Sequence, residues 1–137
     1  LNFREASGYA KHILKDPQKK AYYQQKAKKL KLPNAYTAAL TEFLRKGEIK
    51  EIQLHKNKNA KGNTVRVRAS KKDFSVRKIW ISIYDAKGTP VLSGEAIRKD
   101  NTDFVFHVDD LSFDGPIRIK ACINDVSVHK VEKEICL

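Results

Sequence analysis

Residues 42–54, EFLRKGEIKEIQL, contain the point at which the hydrophobic period of the chain changes. Before Gly47, apolar residues recur at the spacing of one helix face; after it they alternate, as on one face of a strand. The reading of that glycine decides the fold class. It divides the chain into a helical segment, residues 1–47, and a strand segment, residues 48–137, which is an α+β arrangement.

Working backward, Tyr36, Ala39, Leu40, Phe43 and Leu44 form the apolar stripe of a third helix, with Pro33-Asn34 as its start signal and Gly47 as its stop. Asp16-Pro17 opens a second helix, because aspartate caps free N–H groups and proline suits the first helical position. On it Tyr23, Ala27 and Leu30 stand at i, i+4 and i+7, a narrow buried stripe. Phe3, Ala6, Ala10, Ile13 and Leu14 line a first helix.

Working forward, VRVRA sets Val65, Val67 and Ala69 against Arg66 and Arg68. FVFHV sets Phe104, Phe106 and Val108 against Val105 and His107. IRIKACI sets Ile117, Ile119, Ala121 and Ile123 against Arg118, Lys120 and Cys122. Turn signals separate them at 61–63, 85–88, 99–101 and 114–116. With EIQL, KIWISIY, PVLSGEAI and VEKEICL the expectation is seven antiparallel strands in an immunoglobulin- or fibronectin-III-like β-sandwich, without the antibody cysteine bridge.

KIWISIYDA, residues 78–86, departs from simple alternation. Ile79, Ile81 and Ile83 fill one face, and Trp80 and Tyr84 stand on the other. In such a sandwich this strand lies beside the one carrying Arg118 and Lys120. Trp80, Tyr84, Arg118 and Lys120 therefore form one candidate patch with three readings: a face covered by the helices, a self-contained cation–π ladder, or a partner site.

The charge is uneven. Residues 1–47 carry eleven Lys/Arg against three Asp/Glu, and the remaining ninety carry seventeen against thirteen, within a net +12. The basic residues concentrate on DPQKKAYYQQKAKKLKLPNAY, residues 16–36. At 100° per residue Lys19, Tyr22, Lys26 and Lys29 share one face and Tyr23 belongs to the buried one. The candidate basic surface comprises Lys19, Lys20, Tyr22, Lys26, Lys28, Lys29 and Lys31. Such a surface attracts phosphate, anionic lipid headgroups or an acidic protein; an ordinary solvated face is the plain alternative. Its lysine richness suits charge rather than base recognition, so any nucleic-acid binding is expected to be sequence-independent.

No catalytic constellation emerges. His12, His55, His107 and His129 are scattered, and none has a serine, cysteine or carboxylate at triad spacing. Cys122 and Cys136 lack metal-ligand spacing, so no metal site and no cofactor are expected. Simple hairpin register does not set the two cysteines opposite each other, and free thiols favour a reducing compartment such as the cytoplasm. The chain opens at Leu1 rather than methionine, which is compatible with a removed leader and a secreted form. Asp109, Asp110 and Asp114 read as an aspartate-rich turn before a weak calcium site. No apolar run approaches the roughly 18 residues of a membrane-spanning helix.

The stretch YAKHILKDPQKKAYYQQKAKKLKLPNAYTAALTEFLRKGEIKEI resembles the N-terminal half of an uncharacterised group of bacterial proteins, and NTVRVRASKKDFSVRKIWISIYDAKGTPVLSGEAIRK continues the likeness. That group pairs a helical segment with an immunoglobulin-like sandwich, so the resemblance implies the two-part architecture and carries no activity. Its members have a short glycine-rich turn before the last strand, where this chain has NDVSVHK. A looser likeness links KKAYYQQKAKKLK to the later helices of HMG boxes, but the first box helix and its wedge residues have no counterpart. The functional expectation is a non-enzymatic module acting through contacts with another protein. The alternative is sequence-independent nucleic-acid binding through the basic helices.

Overall fold

Two expected helix starts and the period change at Gly47 recur in the computed structural model, which describes residues 2–56, 62–108, 116–124, 127 and 129–137. Three helices, α1 (Asn2–Ile13), α2 (Pro17–Leu30) and α3 (Ala35–Leu44), precede eight strands. The chain divides into two compact units, Leu1–Lys46 with Val126–His129, and Gly47–Asp125 with Lys130–Leu137.

In the first unit the Asp16 carboxylate accepts from the Gln18 N–H at 3.0 Å and opens α2. Asn34 does the same for α3, accepting from the Thr37 N–H at 2.9 Å. At the end of α2, Lys31 adopts the left-handed conformation (φ 58°) and lets the Leu32 N–H reach the Ala27 carbonyl at 2.8 Å. The core is built largely of alanine: Ala10, Ala27, Ala35, Ala38 and Ala39 around Tyr23. Small side chains let helix axes approach closely. At the end of α3 the Ser127 hydroxyl donates to the Arg45 carbonyl at 3.0 Å, and His129 Nε2 lies 3.0 Å from the Leu44 carbonyl.

Three helical expectations need correction. Phe3 was expected in the α1 stripe and is 63% exposed, whereas Ala6 and Ala10 are fully buried. The buried face of α3 is Ala35, Ala38, Ala39 and Glu42, while Tyr36, Leu40, Phe43 and Leu44 are half-buried. The alanines face inward because they permit the closest packing, and the larger side chains are left at the flanks. Gly47 does not stop α3 by a left-handed turn: the helix ends at Arg45, which is extended. Gly47 is small because a Cβ there would stand 2.9 Å from Ile123 Cδ1.

The second unit holds β1 (Glu48–Lys56), β2 (Asn63–Ser70), β3 (Ile79–Tyr84), β4 (Pro90–Glu95), β5 (Ile97–Arg98), β6 (Asp103–Val108), β7 (Arg118–Ile123) and β8 (Val131–Cys136). They form two antiparallel four-stranded sheets, ordered β1-β2-β6-β5 and β4-β3-β7-β8. Both sheets contribute to one core that includes Ile52, Val65, Val67, Ile79, Ile81, Ile83, Phe104, Ile119 and Ala121. Each buried aliphatic or Phe side chain contributes about 1.5–3 kcal/mol relative to exposure.

Among the described residues the strands number eight rather than the expected seven. PVLSGEAI is split at Ala96, whose N–H bonds the Ile79 carbonyl at 2.9 Å. On one side of Ala96, β4 pairs with β3; on the other, β5 pairs with β6 of the other sheet. One predicted strand therefore serves both sheets. Residue 61 of the turn expected at 61–63 and residues 114 and 115 of the one expected at 114–116 lie outside the described residues, as do Asp109 and Asp110, while Asn63 already belongs to β2. Cys122 lies opposite Glu132 and Cys136 opposite Arg118, and both thiols are free.

Candidate functional site

The sequence PQKKAYYQQKAKKL of α2 contains no acid, so nothing on the helix offsets its five lysines. Tyr23 and Ala27 turn inward, and Leu30 is half-buried. Tyr23 donates its phenolic hydrogen to buried Glu42. Having spent its one proton there, it accepts from the Tyr9 hydroxyl at 2.8 Å. Burial first, and then the bond to Glu42, push the Tyr23 phenol well above its ordinary range. This chain of three side chains fixes the rotation of α2 about its axis.

That rotation sets the opposite face. Tyr22 lies parallel to Tyr23, with ring centroids 4.9 Å apart and planes 11° apart, so one face of its ring is already covered. Tyr22, Gln25, Lys26 and Lys29 line a shallow depression of about 250 Å³. Lys19 precedes them on the same side by helical spacing. Lys20 and Lys31 lie on other azimuths, and Lys28 lines a separate depression with Gln24, Leu32, Pro33 and Asn34. Among the described residues no carboxylate lies within ion-pair distance of Lys19, Lys20, Lys28, Lys29 or Lys31. The seven predicted residues thus form a cluster of Tyr22, Lys26 and Lys29 beside Lys19, with the rest distributed around the helix.

The second candidate patch has a different character. On the outer face of the β4-β3-β7-β8 sheet, Trp80 lies opposite Cys122, Ser82 opposite Lys120, and Tyr84 opposite Arg118. The Arg118 guanidinium sits 5.6 Å over the Tyr84 ring and 3.2 Å from Glu134. Lys120 is 3.1 Å from Glu132, which also meets Lys130 at 3.3 Å. The bond to Glu132 raises the pKa of Lys120, and the same bond holds Glu132 below the usual carboxylate range. The patch is an electrically balanced ladder rather than a basic surface. Trp80 remains 43% exposed at its end, opposite Glu95 of β4. The glutamates were overlooked, although the alternation of VEKEIC already puts both on one face.

A further polar cluster was missed in the sequence. Buried Asp103 of β6 binds Arg66 at 2.6 Å and Arg68 at 3.2 Å, across β2. The Arg66 bond chiefly depresses the Asp103 pKa, and Asp103 in turn raises that of Arg66. Arg66 and Arg68 also line a depression of about 120 Å³ with Glu51 and Gln53. The β2–β6 register sets Asp103 directly opposite Arg68, which alternation in VRVR and DFVFHV does not by itself specify.

Among the described residues no three His, Cys, Asp or Glu side chains gather as a metal site. His55 lies 3.1 Å from Gln53 Oε1, while His12 and His107 are exposed. No described helix is long and apolar enough to cross a membrane.

Neither a family model nor a curated protein matches the chain. Among solved structures, OgpA from Akkermansia muciniphila is similar over 69% of this chain, with a TM-score of 0.50 and 12% identity. The match occupies 27% of the OgpA chain, so this protein corresponds to about a quarter of it, and the likeness is one of fold.

Proposed function

We propose that this protein is a non-catalytic interaction module that docks an acidic protein surface through the lysine face of α2. The observation that carries the reading is the unbalanced charge of that helix: five lysines, no acid, and no ion pair on Lys19, Lys20, Lys28 or Lys29 among the described residues. The Arg118/Lys120 patch, by contrast, is neutralised by its own glutamates. A second reading, sequence-independent binding of nucleic acid, is favoured by Tyr22 at the rim of the Lys26/Lys29 depression. A tyrosine ring with part of its surface exposed suits contact with a base, and the lysines suit phosphate.

We further propose that the strand unit is immunoglobulin- or fibronectin-III-like. The order β1-β2-β6-β5 against β4-β3-β7-β8 supports this, since it corresponds to the A-B-E-D and C-F-G sheets of that architecture with one added outer strand. That architecture serves many functions and specifies none.

Fluorescence anisotropy with a labelled polyglutamate peptide, duplex DNA and single-stranded DNA, each at two salt concentrations, tests the functional reading. Peptide binding that weakens with salt and is abolished by Lys26→Glu/Lys29→Glu supports the first reading. DNA binding with a salt slope of about −0.9 per neutralised phosphate, and none to the peptide, supports the second. No binding to any probe at low salt removes both.

A further inference from the structure

Sheet edges expose unpaired backbone N–H and C=O groups, and proteins blunt them with charge, bulges or brevity. Three of the four outer strands here are protected. β8 carries Glu132, Lys133 and Glu134 in succession; β1 carries Lys50 and Glu51 at a bulge; β5 is two residues long. β4 is the exception. A bulge and Pro90 protect its first end only, and Val91-Leu92-Ser93-Gly94 carries no charge. Val91 and Leu92 are 41% and 39% exposed, and among the described residues β4 pairs with β3 alone.

The charges at the two ends of this edge are of opposite sign. Lys87 stands in the turn just before β4, and Glu95 ends the strand. Neither has an ion pair among the described residues. Identical edges related by a two-fold axis pair antiparallel, so the first half of one meets the second half of the other. Centred on Val91, that pairing brings the turn that holds Lys87 in each copy to Glu95 of the other, twice per dimer. It also brings the exposed Val91 and Leu92 of both copies together. A parallel arrangement would instead juxtapose like charges.

We propose that β4 is a self-association edge, through which two copies of this chain join their β4-β3-β7-β8 sheets into one continuous antiparallel sheet. The contact is small, because it rests on one short strand per copy, and each copy carries a net +12 that opposes association. The dimer is therefore weak and concentration-dependent.

Sedimentation equilibrium on the full chain tests this. Between about 1 and about 300 µM, the range suited to small interfaces, the weight-average mass should rise from 15.7 kDa toward twice that value. Lys87→Glu and Glu95→Lys each create two like-charge contacts and should each raise the dimer Kd about tenfold. The double variant Lys87→Glu/Glu95→Lys restores complementarity and should return Kd to the wild-type value. Leu92→Lys, which adds charge to the edge, should leave only monomer. Circular dichroism spectra matching wild type establish that each variant is folded. A monomer throughout the range overturns the proposal. So does a dimer whose Kd ignores the charge swaps, or one that the double variant fails to restore.

Discussion

Tyr23 shows how one side chain can orient a whole face. Its ring is buried, its hydroxyl donates to Glu42 and accepts from Tyr9, and its neighbour Tyr22 is thereby turned outward. Tyr23→Phe keeps the ring but leaves a buried carboxylate without that donor, so it should cost about 1–3 kcal/mol in urea unfolding. Glu42→Gln, which retains an acceptor oxygen, should cost less. Asp103 sets a pH limit of a different kind. Arg66 and Arg68 make its carboxyl ionise more readily in the folded chain than in the unfolded one. Its contribution is therefore complete above the ordinary carboxylate pKa of about 4 and drains away as pH falls through the lower folded value. Asp103→Asn should lower stability at neutral pH and flatten the acid limb of a stability-versus-pH curve; an unchanged acid limb would assign it to other carboxylates. That Tyr23 faces inward and Tyr22 outward was readable from helical spacing. The partnership with Glu42 was not, because a glutamate in a sequence reads as surface until the phenol it meets is known.

At the scale of elements, period-two patterns read well because one face of each sheet is packed and the other is solvated. VRVRA and IRIKACI come out residue by residue as expected. The β4–β5 split was illegible, since the chain changes sheets at Ala96 itself, which carries no turn signal, and the pairing of Ile97 with Val105 and of Arg98 with Phe104 reveals it. The face of α3 was misjudged because apolar size suggested Phe43 and Leu44, whereas close helix packing selects alanine. Two glycines in the strand unit distinguish close packing from backbone freedom. A Cβ at Gly94 would lie 2.8 and 3.2 Å from two ring atoms of Phe106, while one at Gly47 meets the terminal Cδ1 of Ile123 at 2.9 Å. A phenyl ring cannot yield by a single bond rotation as an isoleucine end can. Gly94→Ala should therefore destabilise by about 1–3 kcal/mol and Gly47→Ala by distinctly less, measured by chemical denaturation. Equal losses would mean that Phe106 yields as readily as Ile123.

For the whole molecule, charge is distributed as unevenly as structure. The first forty-seven residues carry a net +8 and the remaining ninety only +4, and Arg66, Arg68, Arg118, Lys120 and Lys130 of the second unit meet carboxylates at Asp103, Glu132 and Glu134. Composition alone gave the imbalance; the pairings needed strand register. Lysines without partners repel one another, and salt relieves that repulsion as the Debye length shrinks from about 30 Å at 0.01 M to about 3 Å at 1 M. The ladder of the second unit responds in the opposite sense, because screening weakens attraction between exposed ion pairs. The two units carry separate probes: far-UV circular dichroism is dominated by the three helices, while Trp80 is the sole tryptophan and belongs to β3. Raising salt from about 0.01 M to about 0.5 M should therefore increase the thermal midpoint followed by circular dichroism. The midpoint followed by Trp80 fluorescence should stay level or fall slightly. Glu substitutions at Lys26 and Lys29 should remove most of the first shift while leaving the second untouched. Equal upward shifts in both signals would show that repulsion is shared across the molecule, and the lysine face of α2 would lose its claim to be the unbalanced surface.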